Sequence, residues 1–487
     1  MAAWGSGFAA PWALGLYIGT FAILGWLVLW YEREAQGASS GWAHRWVARL
    51  TGGSDLSWID ARLLTAVAAG AFALGAIANA ALGAYACSAP GPSDLTTLFT
   101  SGQEFLRGGD PFTITACGVS GNPVPAGMAS VLLDALGSLG GEVGTLLVWG
   151  AVSVALVPLV WSLAGTRRAV TTVGILVSFL YLPVVAVQVD GASLAIVPLA
   201  VLLVLYLARR GWARAAAIGG FLATGRFPAL FPILAATGRA GARRAIAFAS
   251  ALGIFAAVTL ISIAIYGSAF PGPVFFAQFA RGDSSLNYWG VLQGEGWLNT
   301  SSALTIVQAS LTIVLVGVTW VWARSALGAI AIVLTGTVLL TQYLSFTALI
   351  FLLPVALFGS RARWWLWAIG LVAISNYLLA IQSYASIGGS AIPSYVLDLA
   401  LTVLVLGLLI ELLRTELARY PSPEGSIEAA MSGDERPAPR ARDSPSRASG
   451  LHPTPLRSRL GRENAESYPR GAAPRREPTL EIRERVI

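Results

Sequence analysis

Few side chains in this chain could carry chemistry, and a group of them lies between two long apolar runs. Asp94, Arg107 and Asp110 follow the apolar run 63–85 and precede the one that begins near Gly144. A carboxylate just beyond an apolar run can reach both water and lipid headgroups. Asp94 is therefore our candidate for a general base, the group that takes a proton from an attacking hydroxyl.

Each of these side chains also has an ordinary structural explanation. Asp94 could cap a helix over residues 95–106, because Asp is a favoured N-cap residue. Asp110 precedes Pro111, and an Asp-Pro pair commonly opens a turn. A long basic side chain such as Arg107 can extend along apolar surface and place its charge in water.

Several kinds of site are excluded by what the sequence lacks. Its only histidines are His44 and His452, which excludes a Ser-His-Asp triad and a His-ligated metal from the apolar region. No Walker A pattern is present, so we expect no nucleotide hydrolysis, and we expect no metal and no other cofactor. Cys87 and Cys117 predict a disulfide in an oxidising compartment. The alternative is two unpaired, small apolar residues.

The composition predicts a membrane protein. Of the 487 residues, 55% are hydrophobic and 12% are charged, with a mean hydropathy of +0.68. Soluble domains carry about 25% charged residues, and apolar runs of about 20 residues suffice to cross a bilayer. The fold class is therefore an all-α polytopic membrane protein. The net charge of +7 does not indicate nucleic acid, because the arginines fall in short clusters and in the C-terminal tail.

The apolar runs predict about 11–13 spans and two long loops. The predicted spans are residues 11–30, 61–85, 143–164, 169–188, 191–208, 245–266, 301–323, 326–344, 346–358, 364–384 and 394–413. Between residues 212 and 239, two short apolar pieces flank Gly225-Arg226-Phe227-Pro228. This break predicts a helical hairpin or two half-spans, which are tolerated where they line protein or a cavity. The long loops are residues 86–142 and 267–300.

The placement of arginine predicts the orientation in the plasma membrane. Most arginines between spans fall on one side, whereas Arg107 and Arg281 fall on the other. Arginine-rich loops face the cytoplasm. The N-terminus and both long loops are then outside, and the C-terminus is cytoplasmic. The first ten residues carry no basic side chain, so we expect the first span to be retained.

Three regions follow from this pattern. Residues 1–60 add a first span and a cytoplasmic loop, residues 61–415 form the transmembrane core, and residues 416–487 form a tail. From Tyr420 onward the tail is rich in Pro, Ser, Arg and Glu. Such a segment buries too little apolar surface to offset the entropy of ordering, so we expect a disordered cytoplasmic tail.

Other polar residues near the outer ends of the predicted spans are candidates for substrate binding. Ionisable groups at membrane depth are costly and are usually functional. Together with Arg107 and Asp110, the candidates are Asp190, Arg226, Arg281, Tyr288, Gln342 and Tyr343.

Short motifs occur in a recognisable order along residues 60–415. They are Ser93-Asp94-Leu95, Phe105-Leu106-Arg107-Gly108-Gly109-Asp110-Pro111-Phe112, Gln188-Val189-Asp190-Gly191, Thr224-Gly225-Arg226-Phe227-Pro228 and Gln342-Tyr343 with Pro354. This order resembles the GT-C glycosyltransferases, and it is most similar to the polyprenyl-phosphate-mannose-dependent enzymes of glycosyltransferase family 87. That family usually has Lys-Pro where this chain has Arg226, with Phe227 between it and the proline.

The resemblance implies a GT-C-like transmembrane helical bundle and a hexosyltransferase. The enzyme would move a hexose, most simply mannose, from a polyprenyl-phosphate donor to a glycolipid or glycan acceptor on the outer side of the bilayer, with inversion. Asp94 would be the base. A guanidinium binds phosphate through two parallel hydrogen bonds, and either Arg226 or Arg281 would serve.

A transporter or flippase of lipid-linked sugars is the alternative class. Broken helices and polar groups at membrane depth occur in transporters as well. The sequence shows no paired internal repeats, which favours the enzyme. A catalytically inactive GT-C-like scaffold would show the same sequence features.

Overall fold

A computed structural model describes a large part of the chain, all of it within the unit Met1–Arg419. The described residues are 61–81, 94–116, 119–120, 127–164, 193–267, 288, 292, 302–340, 350–352, 354 and 394–417. These residues are almost entirely helical, which confirms the predicted helical class. Within the described residues, two helical stretches, Gly141–Leu163 and Gly241–Tyr266, are long enough and apolar enough to cross a membrane.

The helices follow the apolar runs of the sequence. They are α1 (Ala61–Ala81), α2 (Asp94–Leu106), α3 (Met128–Ser138), α4 (Gly141–Val154), α5 (Leu156–Ala164), α6 (Ile196–Ala208), α7 (Trp212–Ala223), α8 (Leu230–Thr237), α9 (Arg244–Tyr266), α10 (Ser302–Trp322), α11 (Ala326–Leu340) and α12 (Ser394–Leu417). Short 3-10 turns occupy Ser193–Ala195, Phe227–Ala229 and Gly241–Arg243. Strands β1 (Thr115–Ala116) and β2 (Val119–Ser120) form one antiparallel pair.

The predicted span boundaries agree with the observed helices at most of their starts. The starts predicted at residues 61, 143, 245, 301 and 326 lie within about two residues of the starts of α1, α4, α9, α10 and α11. A turn at Ala155 divides the predicted span 143–164 into α4 and α5. Helix α12 runs to Leu417, slightly beyond the predicted start of the tail.

The predicted first loop needs correction. Residues 86–142 contain the expected helix α2 but also a second helix, α3, which the sequence analysis did not predict. The carbonyl oxygen of Asp134 in α3 lies only 2.3 Å from where a side-chain carbon at Gly102 of α2 would stand. The two helices therefore pack backbone against backbone, so much of this segment consists of packed helices and not of a loop.

The break predicted between residues 212 and 239 is present: two short helices, α7 and α8, are joined by the turn at residues 224–229, and they are called the hairpin below. Small residues let α7 approach its neighbours closely. A side-chain carbon at Gly219 would stand 2.3 Å from Val204 of α6, and one at Gly220 would stand 2.2 Å from the carbonyl oxygen of Ala251 in α9. Helix α8 packs against α10 and α11.

Helix α11 lies at the centre of the packed helices. Its side chains are buried around its circumference, and Ile330, Ile332 and Leu334 are completely inaccessible. A helix that is apolar on all faces is typical of the interior of a large helical bundle.

Arginines neutralise helix ends on the side predicted to be cytoplasmic. The Nη2 atom of Arg239 donates to the carbonyl oxygens of Trp320 (3.2 Å) and Val321 (2.9 Å) at the end of α10. The guanidinium of Arg244 lies 5.0 Å from the centre of the Trp320 ring. Cations at helix C-termini are favoured by the helix dipole, so these arginines also contribute to the fold.

Candidate functional site

The tip of the α7–α8 hairpin is docked against the start of α3. The carbonyl oxygen of Gly225 accepts hydrogen bonds from the amide of Gly127 (2.9 Å) and from the hydroxyl of Ser130 (3.1 Å). A side-chain carbon at Gly225 would stand 2.9 Å from both the amide nitrogen and the hydroxyl of Ser130. Glycine is therefore needed for this close approach, which joins two segments about a hundred residues apart in sequence.

Arg226 is the next residue of this tip, and its side chain is buried with only 4% of the residue exposed. Its backbone is extended and begins the 3-10 turn at Phe227. The Nε and Nη2 atoms both donate to the hydroxyl oxygen of Ser193, at 2.9 Å for Nε. The ring of Phe227 packs beside Phe231 and beside Phe255, which is at the middle of α9. A cation is thus enclosed within largely apolar surroundings.

Asp134 of α3 is a second buried charged residue in this region, and none of it is exposed. Its Oδ1 atom accepts a 2.7 Å hydrogen bond from the indole nitrogen of Trp149 on α4. Its Oδ2 atom has no hydrogen-bond partner among the residues described. Burial raises the pKa of Asp134 well above its usual range, while the Trp149 hydrogen bond and the charge of Arg226 lower it in part.

Asp94 is the first residue of α2, the helix that packs against Asp134 through Gly102. Eight residues separate Asp94 from Gly102, which is about 12 Å along a helix. The helix expected over residues 95–106 is present but begins one residue earlier, at Asp94 itself, so the expected role of Asp94 as the cap before that helix stays a prediction. The Asp94 carboxylate lies outside the described side chains, so its role as a base stays a prediction.

Asp110 and Arg107 make local contacts. The Oδ1 atom of Asp110 accepts from the amide of Phe112 (2.9 Å), and Oδ2 accepts from the hydroxyl of Thr113 (2.6 Å). Arg107 is 65% exposed and forms a 3.0 Å ion pair with Glu104 one turn earlier. Asp110 therefore makes the contacts of a turn, and Arg107 those of a solvated helix end. Both agree with the structural explanations given for these residues above.

The turn that contains Asp110 is attached to the end of α9. The rings of Phe112 and Tyr266 meet edge to face, with 5.3 Å between their centres. Phe112 and Val131 form a small buried cluster, and Phe105, Ile263 and Tyr266 pack against it. The start of α3 therefore contacts two neighbours, the hairpin tip through Ser130 and this turn through Val131.

Tyr288 belongs to the second predicted loop and contacts α12. Its backbone amide donates to the hydroxyl of Thr402 at 3.0 Å. Burial raises the pKa of Tyr288 to about 12. The side chain therefore stays a neutral phenol at physiological pH, a hydrogen-bonding group rather than a base.

Several predicted residues lie outside the described part of the chain. These are Cys87 and Cys117, Asp190, Arg281, Gln342 and Tyr343. Their assignments, including the disulfide, stay predictions. Among the described residues, no three His, Cys, Asp or Glu side chains come together as a metal site.

Sequence analysis did not single out Asp134, Trp149 or Ser193. The signal for Asp134 was present, because it is the only ionisable residue between Met128 and Ser138 in an otherwise apolar segment. An ionisable group in apolar surroundings is a functional candidate. Because residues 86–142 were assigned to a loop, the apolar helix around Asp134 was not recognised.

Comparison with protein-family models, with curated proteins and with solved structures gives no match. The resemblance to glycosyltransferase family 87 therefore rests on the short motifs and on their order along the chain.

Proposed function

We propose that this chain is a membrane glycosyltransferase that uses a polyprenyl-phosphate sugar as donor. It moves a hexose, most simply mannose, to a glycolipid or glycan acceptor on the outer side of the bilayer. The observation that carries this proposal is the buried guanidinium of Arg226 at the tip of a hairpin inside an apolar bundle.

The outer surface of the described helices supports a bilayer as the surroundings of the bundle. Large apolar side chains are strongly exposed on α1, α9 and α10. Examples are Leu74 (71%), Leu260 (64%), Ile265 (65%), Ile306 (66%) and Ile313 (64%). Lipid tails cover such exposed apolar side chains without cost, whereas water does not.

The surroundings of Arg226 support an anionic ligand. Burying a guanidinium is costly unless its charge is compensated. The Ser193 hydroxyl accepts hydrogen bonds from the Nε and Nη2 atoms and so orients the guanidinium at this junction. A phosphate oxygen would compensate the charge of a guanidinium. The hydrocarbon chain of a lipid phosphate would lie in the apolar surroundings while its phosphate contacts Arg226.

The chemistry that follows is a single displacement. The acceptor hydroxyl loses its proton to the Asp94 carboxylate as its oxygen attacks the anomeric carbon. The bond between that carbon and the phosphate oxygen breaks, and polyprenyl phosphate leaves with the bonding electrons. The positive charge of Arg226 stabilises the negative charge that grows on the leaving phosphate.

The test compares the buried Arg226 with the half-buried Arg239, which follows the same hairpin. Arg226→Gln should weaken donor binding and slow transfer by at least about 10²-fold, because a charge-assisted contact to the leaving group is lost. Arg239→Gln is the matched control: Arg239 binds the carbonyl oxygens of Trp320 and Val321, so its loss should lower thermal stability only. Equal activity in the Arg226 variant and the wild type would contradict the proposal.

A further inference from the structure

Asp134 has no part in the transfer step described above, yet it is buried in the same region as Arg226. Its Oδ2 atom is inaccessible and has no hydrogen-bond partner among the described residues. A buried carboxylate oxygen without a partner is costly, whereas the protonated acid is much less so. This geometry favours a neutral Asp134 in the conformation described here.

Helix α3, which carries Asp134, is fixed to the hairpin tip by two hydrogen bonds. Ser130 and Asp134 are four residues apart and lie on the same face of α3. Ser130 is hydrogen-bonded to Gly225, the residue before Arg226. The amide of Gly127 makes a second hydrogen bond to the same carbonyl oxygen, so α3 cannot slide past the hairpin tip without breaking both.

Other ionisable groups occur on the elements that pack against α3. They are Asp94 and Glu104 on α2, Glu142 on α4, Arg214 on α7, Arg244 and Tyr266 on α9, and Arg226 at the hairpin tip. Among the described groups, the charge that acts on Asp134 is that of Arg226. Glu142 is exposed in the first turn of α4.

We propose that Asp134 controls the anion affinity of Arg226: the neutral acid adds no negative charge beside the guanidinium, whereas the carboxylate competes with the donor phosphate for it. This inference rests on the proposed function, since it takes the phosphodiester of the donor as the anion. Binding and protonation are then linked, because a negative ligand beside Asp134 favours its protonated form.

The linkage fixes the direction of the pH dependence. Donor binding is strongest while Asp134 carries its proton and weakens as pH rises and the carboxylate forms. One linked proton changes the dissociation constant by about tenfold per pH unit in that range. The donor phosphodiester has no second ionisation, so it keeps one negative charge throughout and does not contribute to the slope.

The first measurement needs no ligand. Difference infrared spectroscopy of the full-length protein in detergent follows the protonated carboxyl band, which Asp134→Asn identifies by removing it. In Arg226→Gln the Asp134 band should persist to higher pH, because the positive charge that stabilises the Asp134 carboxylate is gone. If the band titrates at the same pH in Arg226→Gln and the wild type, the two groups are not coupled and the inference is overturned.

The second measurement is the binding of a synthetic polyprenyl-phosphate mannose across the pH range in which the infrared titration shows Asp134 losing its proton, where one linked proton produces the slope given above. Asn at position 134 still accepts from Trp149 and mimics the neutral acid. Asp134→Asn should remove the slope and bind more tightly than wild type at the alkaline end. Glu142→Gln, the exposed control, should keep the wild-type slope.

The outcomes separate the inference from the proposed function. A wild type whose affinity is constant over this range overturns the inference, and so does an Asp134→Asn protein that folds but binds more weakly at every pH. The infrared titration could show that Asp134 and Arg226 are coupled while the wild type binds no donor at any pH. That result would support the coupling and contradict the proposed donor.

Discussion

At the scale of single residues, burial separates the structural polar groups from the candidate functional ones. The ion pair of Arg107 with Glu104 is exposed on one helix, and pairs of this kind contribute little to stability. Asp110 completes a turn through Phe112 and Thr113. Arg226, by contrast, lies at a junction between distant segments, where a charge is costly.

Asp94 can be tested as a base against the alternative that it only caps a helix. Asp94→Asn keeps the size and the capping ability of the residue but cannot take a proton at neutral pH. Loss of a general base costs about 10²–10⁴ in rate, whereas Asn caps as well as Asp. We therefore expect a folded, donor-binding and inactive variant in a mannose-transfer assay.

The control is Glu104→Gln on the exposed face of the same helix, which should transfer normally. Transfer by Asp94→Asn within about threefold of wild type would rule out Asp94 as the base, since removal of a general base costs far more.

The buried Asp134 carboxyl predicts how stability depends on pH. Its pKa is raised by burial, so the native state holds this proton at pH values where the unfolded state has released it. Stability from this group is therefore lost as pH rises from the ordinary Asp range towards the native pKa. The slope is at most about 1.4 kcal/mol per pH unit.

Thermal unfolding in detergent across that range measures the effect as the difference between wild type and Asp134→Asn. The wild type should lose stability relative to the variant as pH increases. A difference that does not change with pH would show that Asp134 titrates alike in the folded and unfolded states.

At the scale of elements, the contact between the hairpin tip and α3 depends on the absence of a side chain at Gly225. A methyl group there would meet Ser130 at 2.9 Å and Ile196 at 2.6 Å. Gly225→Ala should therefore cost about 1–3 kcal/mol through overpacking and should weaken donor binding by displacing Arg226. Thermal unfolding and donor titration measure the two effects.

Gly253→Ala is the matched control, because nothing lies within 4 Å of the new carbon. That change should be neutral or should stabilise α9 by up to about 1 kcal/mol, as Gly→Ala does in helices. Equal behaviour of the two alanine variants would mean that the close packing at Gly225 does not determine the position of the tip.

The helices were largely predictable because an apolar run of about 20 residues has few alternatives to a helix. The hairpin was predictable because Gly225 and Pro228 interrupt such a run. Helix α3 was not, since it is short and follows a Gly- and Pro-containing segment typical of loops. The pairing of Asp134 with Trp149 and the approach of Ser193 to Arg226 depend on tertiary packing, which local patterns do not encode.

At the scale of the whole molecule, arginine placement predicts that the long loops are outside and the C-terminus is cytoplasmic. Ser284→Cys, in a protein with Cys87 and Cys117 replaced by serine, tests this in intact cells. An impermeant thiol reagent should label the new cysteine without lysis. Labelling that appears only after lysis would reverse the proposed orientation.

Above all, we propose that the chain transfers a sugar and does not only move a lipid across the bilayer. The most direct measurement is mannose transfer by the purified wild-type protein in detergent, with polyprenyl-phosphate mannose as donor and extracted membrane glycolipids as acceptors. Detergent leaves no second compartment, so transport alone yields no product. We predict a mannosylated glycolipid and release of polyprenyl phosphate. Specific donor binding without any transferred mannose would contradict the claim and favour a transporter of lipid-linked sugars.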